Sequence, residues 1–377
     1  MILSDTSTAK KTVIPKCPSD FLPNDSQYQW YLQSFKQLSP LTDKKLNKQV
    51  LHLNNNPTTT SFLDDILILT PISNVKDKLR HYFSNLCSLT YPHEKLSIVL
   101  AEDSSVDHTL IEATALRDYL QPYFKSIRII PLKDGQPNSG GNIRHDKSYQ
   151  EVRRKHLSKV RNQMLMSSLE EKFKWVFWLD ADVRHIPTNV IEHLLSVNQT
   201  IVTANCLYRK DNGELDTFDR NTWQETKNSL AALSKMPEDY LMLEGYGPSK
   251  RFFLNDLTAF EYENDDGKAE AEKNIATANN NLANNNVQSR QQNNGFPSIQ
   301  PSKEKRTTKK VESGRPAELD GVGGCVLLVN ADLHRKGLIF PPFLFRHHIE
   351  TEGMAKMAKE IFGAKIFGLP RVYIVHW

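Results

Sequence analysis

The stretch that decides the fold is Lys174 to Pro187, KWVFWLDADVRHIP. It opens on a continuous apolar run, Trp175-Val176-Phe177-Trp178-Leu179, and stops at two carboxylates, Asp180 and Asp182. A short, aromatic, non-alternating run predicts a central strand buried on both faces. Strand residues at i and i+2 point the same way. The two aspartates should therefore project together at the strand's carboxyl end, where open α/β sheets hold ligands. Neighbouring carboxylates repel unless something positive neutralises them. A hard divalent cation would do so and would also bridge to substrate phosphates. The plainer alternative is a capped strand end, because Asp also favours turns.

Strand and helix patterns alternate upstream. Ile66-Leu67-Ile68-Leu69-Thr70-Pro71 reads as a strand closed by proline, with a helix expected over 75–89. Leu96 to Ala101 is a second strand, leading to Glu102-Asp103-Ser104-Ser105. A helix over 107–120 precedes a third strand, Ser126 to Pro131. This β-α-β-α-β order predicts a doubly wound, mostly parallel α/β sheet. A Gly/Asn/Pro loop over 135–146 comes next, then a basic helix over 149–171. Most of that helix's cations fit a solvated face. Arg161 and Asn162 fall nearer the apolar stripe and are better placed for a ligand.

Downstream, a helix is expected over 188–197, a strand over 200–206, and another strand at Leu241 to Tyr246. Composition changes sharply over 264–316, with Asn and Gln tracts and a basic run from Lys303 to Lys310. That stretch predicts a disordered insertion. Order should resume at ELDGVGGCVLLV, Glu318 to Val329, whose glycines allow a tight turn or close approach to a ligand. No Gly-Lys-Ser/Thr follows, so this is no Walker motif. A helix is expected from His347 to Ile361, with Glu350 and Glu352 in its first turn. The last strand, Val372 to Val375, leads to His376.

At 377 residues, 39% apolar and with a net charge of +4, the chain can build a substantial core. The charge suits a phosphate-bearing ligand and gives no case for nucleic acid. Four scattered cysteines, Cys17, Cys87, Cys206 and Cys325, argue against a zinc site and leave disulfide pairing open. Two sequons begin at Asn24 and Asn198. Residues 1–60 are polar and read as a largely disordered stem, with one short helix around Tyr28 to Phe35, ahead of a single domain over 61–377. No window approaches the roughly 18 apolar residues of a membrane span. The start, MILSDTSTAKKTVIPK, lacks the apolar core of a signal peptide. The expectation is a soluble chain without a transmembrane segment.

Taken together, ILILTPISN, AEDSS, KVRNQML, WVFWLDADVRHIP, LEGYG, ELDGVGGCVLLVNADLHRKG, FPPF, HHIETEGMAKMAK and GLPRVYIVHW resemble the fungal Golgi mannosyltransferases of the mannan polymerase complexes. The match runs from about Asp65 to Trp377 apart from the insertion. The resemblance implies a GT-A fold and a retaining, GDP-mannose-dependent α-mannosyltransferase using Mn2+. It also implies a lumenal Golgi location, related subunits as partners and a mannose-containing glycan as acceptor. It makes Asp182 and His376 the metal ligands, with Asp180 on metal or ribose. Pro71, Asp103 and Arg161 would line the nucleotide cleft. Glu318, Asp320 and Gly321 would face the transferred sugar or acceptor, and Glu350 and Glu352 would border the acceptor. Members normally carry an N-terminal membrane anchor, and the expectation from residues 1–60 is that none is present here.

Two rivals remain. A non-catalytic or weakly catalytic subunit of such a complex would keep the fold without turnover. Asp180-Ala181-Asp182-Val183 also fits the nucleophile motif of haloacid-dehalogenase-type phosphatases. There the motif strand leads its domain, whereas here three strand units precede it.

Overall fold

The computed structural model describes residues 14–21, 63–132, 147–243, 251–257 and 316–377. The first half alternates as expected: β1 (Asp65–Ile72), α1 (Lys76–Cys87), β2 (Leu96–Asp103), α2 (Thr109–Leu120), β3 (Ser126–Leu132) and α3 (Lys147–Ser168). The central strand is β4 (Phe173–Leu179), followed by β5 (Val183–His185), α4 (Val190–Ser196) and β6 (Ile201–Arg209). After these come β7 (Leu215–Thr217), β8 (Trp223–Gln224), α5 (Lys227–Leu233), β9 (Phe252–Phe253) and β10 (Ala317–Glu318). The chain closes with β11 (Val326–Asn330), α6 (Ala331–Arg335), α7 (Glu350–Glu360) and β12 (Ile366–His376).

A 10-stranded sheet runs in the order β10-β12-β6-β11-β4-β1-β2-β3, with β5 on β12 and β7 on β6. β4, β1, β2 and β3 are parallel. β11 is antiparallel to both β4 and β6. Two reversals restore direction, so β6 runs with β4, and β12 runs parallel to β6. The carboxyl ends of β1, β2, β4 and β12 thus share one edge of the sheet. The turn before β11 lies on that edge too, because Val326 pairs with Leu179.

Strand alternation builds two cores. Ile66, Ile68, Phe177 and Leu179 face a layer containing Leu79, Phe83 and Leu116 of α1 and α2. Leu67, Leu69, Val176 and Trp178 face Val160 and Met164 of α3 and Met354 and Ala358 of α7. Covering both faces explains why β1 and β4 read as unbroken apolar runs. Trp178 is fully buried, edge-on to Phe340 at 4.8 Å. Burying such a side chain stabilises the fold by roughly 3 kcal/mol.

Several expectations shift. Leu241 to Leu243 is not a strand: it is buried irregular chain, packed with Ile349 and anchored by the Met242 amide donating to the His347 carbonyl at 2.8 Å. Its apolar run serves a small side cluster rather than a ladder. Residues 14–21, expected within a free stem, join the body: Phe21 is buried in the first core and Cys17 is disulfide-bonded to Cys87 of α1. The second disulfide joins Cys206 of β6 to Cys325, just before β11. The helix proposed around Tyr28 to Phe35, the loop over 135–146, Glu244 to Tyr246 and the insertion up to residue 315 lie outside the described residues. No described helix is long and apolar enough to cross a membrane.

Candidate functional site at the carboxyl edge of the sheet

β4 ends at Leu179, and the Asp180 amide donates to the Cys325 carbonyl at 3.1 Å. That bond fixes the turn carrying the two aspartates. Asp182 meets His376, which β12 delivers from the far end of the chain: Nε2 and Oδ1 are 3.0 Å apart. Lys78 of α1 stands 3.9 Å from the other Asp182 oxygen. Burial pushes the Asp182 carboxyl up, but the hydrogen bond and charge of His376, with Lys78, outweigh it and hold it below the usual range. Burial alone would lower His376, and Asp182 more than restores it, leaving the imidazole above its ordinary value. The two shifts agree with one ion pair.

Asp180 behaves oppositely. Burial and the Asp182 charge raise it, and Arg161 offsets them in part. Arg161 sits on α3, only 2% exposed, and its guanidinium spans two carboxylates. Nη2 donates to Asp180 Oδ1 at 3.2 Å and Nε to Glu350 Oε1 at 3.3 Å. Its Nη1 is buried with no hydrogen-bond partner among the described residues. Glu350 is buried and holds φ at 55°, a left-handed conformation that costs a residue with a Cβ about 1–3 kcal/mol. Such strain is characteristic of functional sites.

On the β1–β2 side, Pro71 lies within β1 rather than ending it, and Ile72 continues the strand. Asp103 ends β2, and His156 Nε2 of α3 lies 2.7 Å from its Oδ2. Asp103 Oδ1 is buried and lacks a partner among the described residues. An acceptor and a donor without partners among the described residues thus lie on the same edge of the sheet.

Other expected site residues are engaged elsewhere. Glu352 is fully buried inside the protein rather than bordering an acceptor: Arg154 Nη1 donates to it at 2.8 Å and Trp223 Nε1 at 3.1 Å. Asp320 pairs with Lys359 and accepts the Glu225 amide at 2.8 Å, so its carboxylate braces the fold. Glu318 is exposed, 3.9 Å from Lys359. Gly321 lies against the Trp223 indole, where a Cβ would clash. Gly323 and Gly324 likewise make room for Asp219 and Arg161. Here the glycines admit side chains of the protein itself.

Among the described residues no three His, Cys, Asp or Glu side chains already form a set that could hold a metal ion. The expected set of Asp180, Asp182 and His376 is a neighbouring pair plus a third carboxylate held by Arg161. The reason is electrostatic, as each carboxylate turns to its nearest cationic donor. The donor chemistry still fits a divalent cation. Ligands about 2.1 Å from an octahedral centre and at right angles stand about 3 Å apart, which matches Asp182 Oδ1 and His376 Nε2.

Sequence reasoning missed Asp219. Burial raises its carboxyl, while the Asn221 amide and Thr222 hydroxyl donate to it at 2.9 Å and lower it. It also missed Phe218, whose ring stacks on His376 with centroids 3.5 Å apart. The only sequence signal was an Asp beside an aromatic in an irregular stretch.

Fold and site together define a doubly wound α/β protein with an acidic pair and an imidazole at the carboxyl edge of its sheet. Residues 45–344 match the Anp1 family model, and the chain belongs to the Anp1 family. It is 29% identical to the Schizosaccharomyces pombe mannan polymerase complex subunit mnn9, over 83% of this chain and 80% of that protein. It is 30% identical to the Candida albicans mannan polymerase complex subunit MNN9, over 83% and 75%. Against the Saccharomyces cerevisiae mannan polymerase I complex VAN1 subunit the identity is 27%, over 94% and 66%. Among solved structures, the mannosyltransferase PcManGT from Pyrobaculum calidifontis, in complex with GDP-Man and Mn2+, aligns with a TM-score of 0.41 and 11% identity, over 88% of this chain and 63% of that one. GalNAc-T7 with UDP, GalNAc and Mn2+ gives 0.44 and 12%, over 84% and 44%.

Proposed function

We propose that this chain is a retaining α-mannosyltransferase of a Golgi mannan polymerase complex. It would take mannose from GDP-mannose, extend a mannose-containing glycan, and work beside related subunits in the Golgi lumen. The observation that carries this is the pairing of Asp182 with His376, residues nearly two hundred positions apart that β4 and β12 bring within 3.0 Å. Membership of the Anp1 family supports it, as do relatives named as mannan polymerase subunits.

Asp182 and His376 would hold a divalent cation such as Mn2+, with Asp180 beside them. When bound, such an ion stabilises charge on the departing diphosphate as a Lewis acid. The protein's own groups do the rest. Arg161, held by Asp180 and Glu350, would add positive charge behind the diphosphate, and its buried Nη1–H has no partner among the described residues. Asp103, oriented by His156, would face the nucleoside from the end of β2. Glu350, with Arg161 between it and Asp180, puts a further negative charge near the bond that breaks. An oxocarbenium-like sugar is favoured by nearby carboxylates.

The test is purified protein with GDP-mannose, Mn2+ and a mannose oligomer. Metal-dependent GDP release should appear, and Asp182→Ala should reduce it at least 100-fold. Equal turnover by that variant would remove the metal role. No turnover by the wild type, with Mn2+-dependent GDP binding retained, would leave a non-catalytic subunit.

A further inference from the structure

Phe218 is a large apolar side chain left 41% exposed beside the Asp182–His376 pair. It is not loosely placed. It follows β7, and its amide donates to the Cys206 carbonyl at 3.0 Å, with the Asp219 amide reaching the same oxygen at 3.3 Å. Cys206 is pinned by the disulfide to Cys325, whose carbonyl holds the Asp180 amide. One ring face lies on the His376 imidazole, nearly parallel at 13°. Tyr208 meets it edge-on, with centroids 6.5 Å apart. A face taken up by His376 and 41% exposure together leave the outer face of the ring to solvent.

The position selects what that face can meet. His376 turns its Nε2 edge to Asp182 and its flat side to Phe218. Phe218 therefore stands beside the pair, on the β6–β7 side, away from β1 and β2 where Asp103 lies. A nucleoside on Asp103 and a ligand on Phe218 would occupy opposite flanks of Asp182. A pyranose presents an apolar C–H face and a rim of hydroxyls. Such a face stacks on an aromatic ring, which supplies large contact area at low entropic cost. Asp219, next in sequence, turns its carboxylate to the Asn221 amide, the Thr222 hydroxyl and Gly323, which fixes the turn that carries the ring.

We propose that Phe218 is the platform on which a pyranose ring of the acceptor glycan stacks. This rests on the glycosyl-transfer reading above and adds where the acceptor lies. It also differs from the sugar or acceptor contacts expected at Glu318, Asp320 and Gly321 and from the acceptor border expected at Glu350 and Glu352.

The experiment compares wild type with Phe218→Leu, which keeps apolar bulk but no flat face, and Phe218→Tyr, which keeps both. Acceptor KM is measured with a mannose oligomer at saturating GDP-mannose and Mn2+. GDP affinity with Mn2+ and direct binding of the oligomer alone are measured by calorimetry. Phe218→Leu should raise acceptor KM and weaken oligomer binding about tenfold, a typical size for one stacking contact. Its GDP affinity should change far less, and Phe218→Tyr should restore the acceptor values. Oligomer binding equal in wild type and Phe218→Leu, or absent from both, overturns the proposal. So does a loss that falls equally on GDP. If wild type binds the oligomer but turns nothing over, the transfer reading fails while the binding comparison still decides the platform.

Discussion

The two flanks of the site are built differently. The β1–β2–β3 flank is held by parallel ladders and helix packing, and its polar residues emerge at strand ends. The other flank, around β8, β10 and α7, is held by charges buried with their partners. Arg154 reaches Glu352 at 2.8 Å across 198 positions of sequence, and Trp223 reaches the same carboxylate across 129. Arg251 stacks 3.5 Å from the Trp223 centroid, pairs with Glu225 at 2.9 Å, and lies 2.9 Å from His348 Nε2. Lys356 completes the group, 3.1 Å from Glu225. The lesson concerns rigidity: a sheet positions Asp103 and Asp180 through the backbone, whereas α7 and its Glu350 are positioned through side chains.

The contrast is broken most directly at Arg251. Replacing it with Met keeps much of the stem packing on Trp223 but strips Glu225 of its best partner. Removing one member of a buried ion pair costs about 3–5 kcal/mol. Thermal unfolding of Arg251→Met should show a loss of that size. The Lys95–Asp65 pair on the other flank, at 3.5 Å, is only partly buried and leaves Asp65 a second lysine, Lys125, so it should lose no more than about 1 kcal/mol when Lys95 becomes Met. Equal losses would mean that the buried network holds nothing the ladders do not.

The same difference governs what could be read in advance. Strand runs such as Ile66 to Leu69 and Trp175 to Leu179 declare themselves, because burial on both faces removes polar residues. The edge that gathers Asp103, Asp180 and Asp182 follows from the β-α-β order. Arg161 was legible as a cation drifting toward an apolar stripe. His376 was not legible from its own surroundings: only family resemblance linked it to Asp182, since no local pattern reports a strand pairing across the chain. Glu352 and Asp320 were expected at the ligand because acidic residues in a helix turn or beside glycines look alike whether they meet a sugar or, as here, Arg154 and Lys359. Gly321, Gly323 and Gly324 teach the same point, for their missing Cβ atoms accommodate Trp223, Asp219 and Arg161.

Acid should dissolve the charged flank first. Burial would raise the Glu225 carboxyl, but Arg251 and Lys356 bring it down to about 2. Burial, with Arg251 and Lys356, lowers His348 to about 3. Both folded values lie below the unfolded ones, so unfolding takes up protons as the pH drops. The contribution of these two groups is complete above about pH 6.5. It falls from there as unfolded His348 protonates, and falls more steeply below about pH 4.5 as Glu225 joins. The Glu225 contribution is on the order of 3 kcal/mol across that range. Chemical denaturation from pH 7 to pH 3 should show this decline. Glu225→Gln, though less stable at pH 7, should lose the steeper part below pH 4.5. An unchanged slope in that variant would place the acid sensitivity elsewhere.

The seam between the flanks offers the smallest and most selective change. At Gly324 a Cβ would run into the end of the Arg161 guanidinium. The guanidinium must give way, so Gly324→Ala should cost about 1–3 kcal/mol, as overpacking does. Moving it, however, pulls Nη2 away from Asp180 and displaces its positive charge. Gly337 is the control. Its φ of +105° strains any side chain, yet a Cβ there meets nothing within 4 Å. Gly337→Ala should cost roughly 1 kcal/mol of stability through backbone strain alone. Calorimetry with GDP and Mn2+ separates the two, because only Gly324→Ala should weaken binding, by about tenfold. If both glycines lower stability and neither lowers GDP affinity, Arg161 is only a brace between Asp180 and Glu350, and the phosphate-binding role assigned to it falls.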